Sequence, residues 1–203
     1  MATPSPAATA LPLEPLQLCL VTHDRGVPTS YVPPDLVTLP AGPTVRAGVQ
    51  MRQEAADNLM KLLAAAQDEG QNLMAISGYR SAELQQSLLE QETKAYGAAV
   101  AQEQVAFPGH SEHQLGVAVD VLSARNPDDL DNSFGNTPEG KWLAANASRF
   151  GFVVSYPEGK EPITGYIYEP WHIRYVGHPW AEQINGSGET LTEYLVRHHM
   201  AGC

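Results

Sequence analysis

His113-Gln114-Leu115-Gly116-Val117-Ala118-Val119-Asp120-Val121-Leu122 is the stretch whose reading decides the fold. Val117, Val119 and Val121 alternate with Ala118 and Asp120, the two-residue period of a strand with one apolar face. The β-branched run and Gly116 both contradict a helix. A helix would also set His113 and Asp120 about 10 Å apart at its rise per residue, too far to share an ion. A loop turning at Gly116 and feeding a strand brings His113 back beside Asp120 instead. The valines then bury one face, and Asp120 stands on the other beside small Ala118, where a carboxylate has room for a ligand.

Working outward, helical periodicity precedes this strand twice. Met51, Ala55, Leu59, Leu62, Leu63 and Ala66 recur at three-and-four spacing, with Gly70 as a stop. A second helix runs from the N-cap Ser81, with Glu83 near its positive end, to Gly97. Between them Leu73–Ile76 reads as a short buried strand ending at Ser77-Gly78. Downstream, Thr137 caps a third helix with Pro138 at its first position and Trp142, Leu143 and Ala147 on its apolar face. Phe152–Tyr156 and Trp171–Val176 read as further strands, followed by a short helix and a terminal segment. Helices and strands do not alternate regularly, so the fold class is α+β with a mixed or antiparallel sheet flanked by helices.

The 203 residues, 43% of them apolar, suit one domain that needs neither disulfides nor metal merely to fold. Residues 1–15 are rich in Ala, Thr, Pro and Ser and read as a flexible leader, leaving a domain over 16–203. Within it, Pro28, Pro33, Pro34, Pro40 and Pro43 exclude helix and describe an extended arm over 16–43, lying on a core of 44–180. Twelve basic against 23 acidic residues give a net charge of −11, which disfavours nucleic acid and anionic membrane faces as partners. No apolar run approaches the ~20 residues of a membrane span. Pro12, Glu14 and Pro15 interrupt the leucine-rich start and no basic segment precedes it, so a signal peptide is not expected in this chain. Cys19 and Cys203 cannot build a cysteine zinc cage. Cys19 lies in an apolar run and Cys203 at the very end, and the expectation is two free thiols.

Among the seven histidines, His113 and His172 stand in sequence contexts that favour chemistry. In Glu169-Pro170-Trp171-His172, proline disfavours helical geometry at Glu169, so this is a loop entering a strand and not a one-turn helical metal motif. Two histidines and one carboxylate suffice for a catalytic zinc that keeps a fourth position for water. A nearby carboxylate that does not bind the metal then takes the proton. A facial iron triad uses the same residue types but places histidine and carboxylate two apart, not seven, and ranks second. Arg80 sits in Ser77-Gly78-Tyr79-Arg80-Ser81, at a strand-to-helix junction where the helix dipole disfavours a cation. Spacing alone favours its pairing with an acidic residue, and an oxyanion-bearing ligand is the alternative.

Taken together, Ser77–Ser81 with Gln85, Pro108–Asp120 and Glu169–Gly177 resemble the VanY-type zinc D-alanyl-D-alanine carboxypeptidases, relatives of VanX dipeptidases and hedgehog domains. The match is in order over roughly residues 16–180 and includes Tyr31–Leu36, Tyr156-Pro157 and Gly159-Lys160. The resemblance implies one zinc held by His113, Asp120 and His172, with Glu169 as catalytic base and Arg80 steadying the oxyanion. It also implies a substrate groove lined by Gln85, Ser111 and Trp171, with Ser155 added where many relatives carry Arg. His110, His178, His198 and His199 match no functional position. The implied reaction removes the terminal D-Ala of peptidoglycan stem peptides. Alternatives are an L,D-carboxypeptidase, a wall endopeptidase or a metal-stabilised binding module. Such a substrate implies an extracytoplasmic enzyme and a processed or trimmed chain.

Overall fold

The valine-rich strand lies inside a four-stranded antiparallel sheet, as its alternation requires. A computed structural model describes residues 18–200. In chain order the elements are β1 (Leu36–Thr38), β2 (Gln50–Arg52), α1 (Gln53–Asp68), β3 (Leu73–Ser77), α2 (Ala82–Tyr96) and α3 (Ala98–Gln104). They continue with β4 (Ala118–Ser123), α4 (Pro138–Asn146), β5 (Phe152–Val154), α5 (Glu161–Thr164), β6 (His172–Tyr175), α6 (Trp180–Ser187) and α7 (Leu191–Arg197). The sheet order is β3-β4-β6-β5, and β1 pairs with β2 in a separate ribbon. The fold is α+β with helices flanking antiparallel sheets.

Val119, Val121 and Ile173 turn into one core with Leu59, Leu62 and Leu63 of α1. Leu59 and Leu62 are wholly buried, and a leucine-to-alanine change at such a site costs about 2–5 kcal/mol. Asp120 and His172, one residue out of phase with Val119 and Ile173, therefore face the opposite side of the sheet. The caps form where the sequence places them: Ser81 Oγ accepts from Leu84 N at 3.3 Å, and Thr137 Oγ1 accepts from Gly140 N at 3.0 Å. A second apolar cluster joins Leu20 and Val153 to Ile184, Leu191 and Leu195 of the two terminal helices.

Several sequence expectations are corrected. Met51 belongs to β2 and not to the first helix, although its side chain is buried as the periodicity required. Arg52 keeps that segment extended: its Nε donates to Asp35 Oδ1 at 2.7 Å and its amide donates to Gly116 O at 2.8 Å. Helix α3 was not foreseen, because its Ala/Gln-rich sequence carries no apolar stripe. Cys19 is disulfide-bonded and not a free thiol. Cys203, the other cysteine of the sequence, lies outside the described residues, as does the proposed leader.

The arm packs on the domain through polar clamps. Gln114 Nε2 is shared among the carbonyls of Pro28 (3.1 Å), Thr29 (3.3 Å) and Tyr31 (3.2 Å). His110 Nδ1 donates to Thr22 O at 2.8 Å. Among the described residues, no helix is long and apolar enough to cross a membrane.

Candidate active site and metal centre

Strand register brings together residues far apart in the chain. Pairing of β4 with β6 sets Asp120 directly across from His172, so their Cβ atoms approach within about 5 Å on one face. Pairing of β3 with β4 sets Ser77 opposite the same Asp120, after an irregularity between Ala75 and Ser77. His113 arrives on a single 3-10 turn, Glu112–Leu115, that ends at Gly116 in the left-handed region (φ 71°). A Cβ at Gly116 meets Arg52 Cγ, Leu36 Cδ2 and Pro33 Cγ, each at 3.0 Å, so only glycine closes this turn without strain.

The hydrogen-bond partners of the imidazoles aim one nitrogen of each into the site. His113 Nδ1 donates to Gly78 O at 2.7 Å, leaving Nε2 3.4 Å from Asp120 Oδ1. His172 Nε2 donates to Glu112 Oε2 at 2.9 Å, leaving Nδ1 3.3 Å from the same Asp120 oxygen. Ligand atoms of all three residues lie within 4.8 Å of one another. Zinc bonds to nitrogen and oxygen at tetrahedral angles separate neighbouring ligand atoms by about 3.3 Å, close to the spacing of each imidazole nitrogen from the Asp120 oxygen. The chemistry fits as well. Arg80 Nη2 lies 2.5 Å from Asp120 Oδ2 and 3.0 Å from His113 Nε2, so a cationic group already faces this donor set.

Charge and burial set the protonation of each group. Burial opposes ionisation of Asp120, but His113 and Arg80 outweigh it and hold the carboxyl well below its ordinary value. Burial and Arg80 lower His113 to about 4, so its inward nitrogen is a lone-pair donor at neutral pH. His172 is raised to about 10, because hydrogen bonds to Asp120 and Glu112 overcome its burial. A metal ion entering there takes the place of the Nδ1 proton.

Glu169 is tied to the same wall. Its amide donates to Tyr156 O at 3.0 Å, and its carbonyl accepts from His172 N at 3.1 Å. Its Oε2 lies 3.8 Å from His172 Nδ1. Burial lifts its pKa to about 7, with Asp120 and Glu112 adding to the rise and His172 and Arg80 opposing it. A carboxylate poised near neutrality suits proton transfer.

A cleft of about 740 Å³ opens over this centre, and its lining includes Gln85, Ser111, Trp171, Arg80, Tyr156 and Tyr166. Gln85 is buried and donates from Nε2 to Ala106 O at 3.0 Å, while its Oε1 has no partner among the described residues. Ser155 does not line the cleft. It is buried, and its Oγ donates to Glu112 Oε2 at 2.6 Å, which corrects its expected place in the groove. Of the other histidines, His178 pairs with Glu182 and His198 packs on the Tyr194 ring. His199 is exposed and, like these, lies outside the cleft. Glu112 was missed in the sequence. Adjacent to His113 in an aperiodic loop it reads as a solvated carboxylate, and only its 3% exposure reveals otherwise. Tyr156 and Tyr166, whose rings meet at 4.8 Å on the cleft wall, gave no signal as wall residues.

Two histidines and an aspartate converge beside a near-neutral glutamate on the polar face of an antiparallel sheet, the donor set and base that a metallopeptidase of the α+β class requires. The chain belongs to the VanY family, described as D-alanyl-D-alanine carboxypeptidase, whose model matches residues 48–178. It is 43% identical over 181 residues to the Bacillus subtilis (strain 168) protein YodJ, covering 88% of this chain and 66% of YodJ, just under two thirds of that relative. The solved structure of the LD-carboxypeptidase LdcB superposes with a TM-score of 0.82 at 41% identity, covering 91% of this chain and 88% of LdcB. A vancomycin-resistance D,D-pentapeptidase VanY in complex with Zn(II) gives 0.76 at 36% identity, covering 89% and 99%.

Proposed function

We propose that this protein is a zinc-dependent carboxypeptidase that releases the C-terminal D-alanine of peptidoglycan stem peptides, acting outside the cytoplasmic membrane. The observation that carries this reading is the placement of Glu169, raised to about 7, beside the converged donors of His113, Asp120 and His172. Zinc held by those three residues supplies Lewis acidity and lowers the pKa of water at its open position.

The chain's own groups do the rest. Glu169 accepts the proton of the attacking water as the penultimate carbonyl is engaged, then returns it to the departing D-alanine nitrogen. Arg80, anchored by Nε to Ser77 Oγ at 3.0 Å, turns its outer nitrogens toward the carbonyl oxygen as negative charge develops there. Ser111, Gln85 and Trp171 line the cleft in which the peptide lies, and the unpartnered Gln85 Oε1 can accept a peptide N–H.

Purified, zinc-loaded protein incubated with a defined stem pentapeptide should shorten it by one alanine, read by mass. A second reading is favoured by the likeness to LdcB: the same attack on a tetrapeptide releases D-alanine from an L-centre. Cleavage of tetrapeptide and not pentapeptide establishes that reading. Cleavage of neither by fully zinc-loaded protein refutes the carboxypeptidase assignment.

A further inference from the structure

We propose that Glu112 is a positioning residue for the metal centre, and that Ser155 and Arg174 hold it for that task. The inference rests on the metal reading of His113, Asp120 and His172 and adds residues outside that set. Glu112 lies next to His113 in sequence, yet its carboxylate points to the other histidine. Its Oε2 accepts from His172 Nε2 at 2.9 Å and from Ser155 Oγ at 2.6 Å. Its Oε1 accepts from Arg174 Nη1 at 2.7 Å. Arg174 in turn donates from Nη2 to Cys19 O at 2.5 Å, in the arm. His172, Glu112, Ser155 and Arg174 are 3%, 3%, 2% and 0% exposed, so water does not compete for these bonds.

Three donors fix both oxygens of the carboxylate, and a fixed acceptor leaves the His172 ring one orientation. That orientation aims Nδ1 at the position shared with Asp120 and His113. A carboxylate behind a ligating imidazole also makes the ring a stronger donor, and losing such a partner weakens metal affinity by about 10–100-fold. Register explains why these residues suit the task. His172 and Arg174 alternate on one face of β6, so a single carboxylate reaches both. Ser155 follows directly after β5, the partner strand of β6, and its amide donates to His172 O at 3.4 Å.

A plainer role for Glu112 is to neutralise buried Arg174 and nothing more. Two variants separate these roles. Glu112→Gln keeps the shape and an acceptor but removes the charge. Ser155→Ala leaves the Glu112–Arg174 pair intact and frees only the oxygen that holds His172. Zinc affinity is measured by chelator competition, well below the unfolding temperature of each protein. The imidazole N–H of His172 is followed by nitrogen-15 NMR in the zinc-loaded state.

Positioning predicts that Glu112→Gln weakens zinc binding by about 10–100-fold. The His172 N–H then shifts upfield and exchanges faster with solvent. Ser155→Ala moves both readouts the same way by a smaller amount. If Glu112→Gln lowers thermal stability while affinity and resonance stay as in the native protein, the proposal is overturned. If Glu112→Gln does not fold, Ser155→Ala decides: unchanged affinity and resonance overturn it, and weakened affinity supports it. Native protein that takes up no zinc overturns both this proposal and the metal reading, whereas zinc held equally by native and variant proteins overturns this one alone.

Discussion

A base held near neutrality by burial should destabilise the fold that holds it, and Glu169→Gln measures by how much. In the unfolded chain this glutamate titrates at its ordinary 4.5, and in the folded protein at about 7. Because the folded value is raised for an acid, the folded state binds the proton more tightly. Stability is thus full below pH 4.5 and falls as pH rises toward 7, where the loss levels off. At about 1.4 kcal/mol per pH unit of that interval, the burden levels off a little over 3 kcal/mol above pH 7. Glutamine cannot ionise and escapes it. In the presence of a chelator the variant should therefore unfold at the same temperature as the native protein near pH 4.5. It should unfold roughly 6–12 °C higher at pH 8, for a chain of this length. Titrating groups away from the site are common to both proteins and cancel in the difference. Thermal unfolding by circular dichroism across pH 4.5–8.5 gives that difference directly. A variant no more stable than native protein at pH 8 refutes the reasoning that burial governs Glu169.

Glu169→Ala should retain stoichiometric zinc yet lose about 10²–10⁴ in kcat for D-alanine release, and a loss of less than about tenfold places the base elsewhere. His113→Ala should abolish zinc binding measured by elemental analysis, and full zinc retention removes His113 from the ligand set. Zinc uptake at pH 8 should release at least one proton per metal in weakly buffered solution, with a further share from the water whose pKa the metal lowers. The side-chain source is His172, raised to about 10, since Glu169 is largely ionised and His113 already neutral. Uptake without proton release contradicts the placement of a proton on His172 Nδ1. Arg80→Ala should lower kcat with little change in KM if the guanidinium acts on developing charge. A rise in KM alone makes it a ground-state binding group.

Much of this protein was written locally in its sequence. Ser81 and Thr137 cap their helices because a side-chain oxygen one position before a helix accepts from an orphan amide three residues further on. Val119 and Val121 declare their strand by an alternation that only a pleated chain can bury. Gly116 announces the turn that returns His113 to Asp120, because glycine takes the left-handed backbone of such a turn without strain. The motif around Pro108–Asp120 and the run Glu169–His172 carried the family resemblance, which no periodicity could have supplied. What remained hidden depends on pairing across distance. Met51 joined a strand because Arg52 found Asp35 and Gly116. Cys19 left the class of free thiols for a bond its apolar surroundings did not signal. Ser155 moved from the groove to the back of His172, where buried Glu112, given no role from the sequence, holds the same ring. A carboxylate's neighbours within a few residues do not fix whether it meets water or a buried imidazole 60 positions away. That is set by strand register, where one residue of slip turns every side chain to the other face.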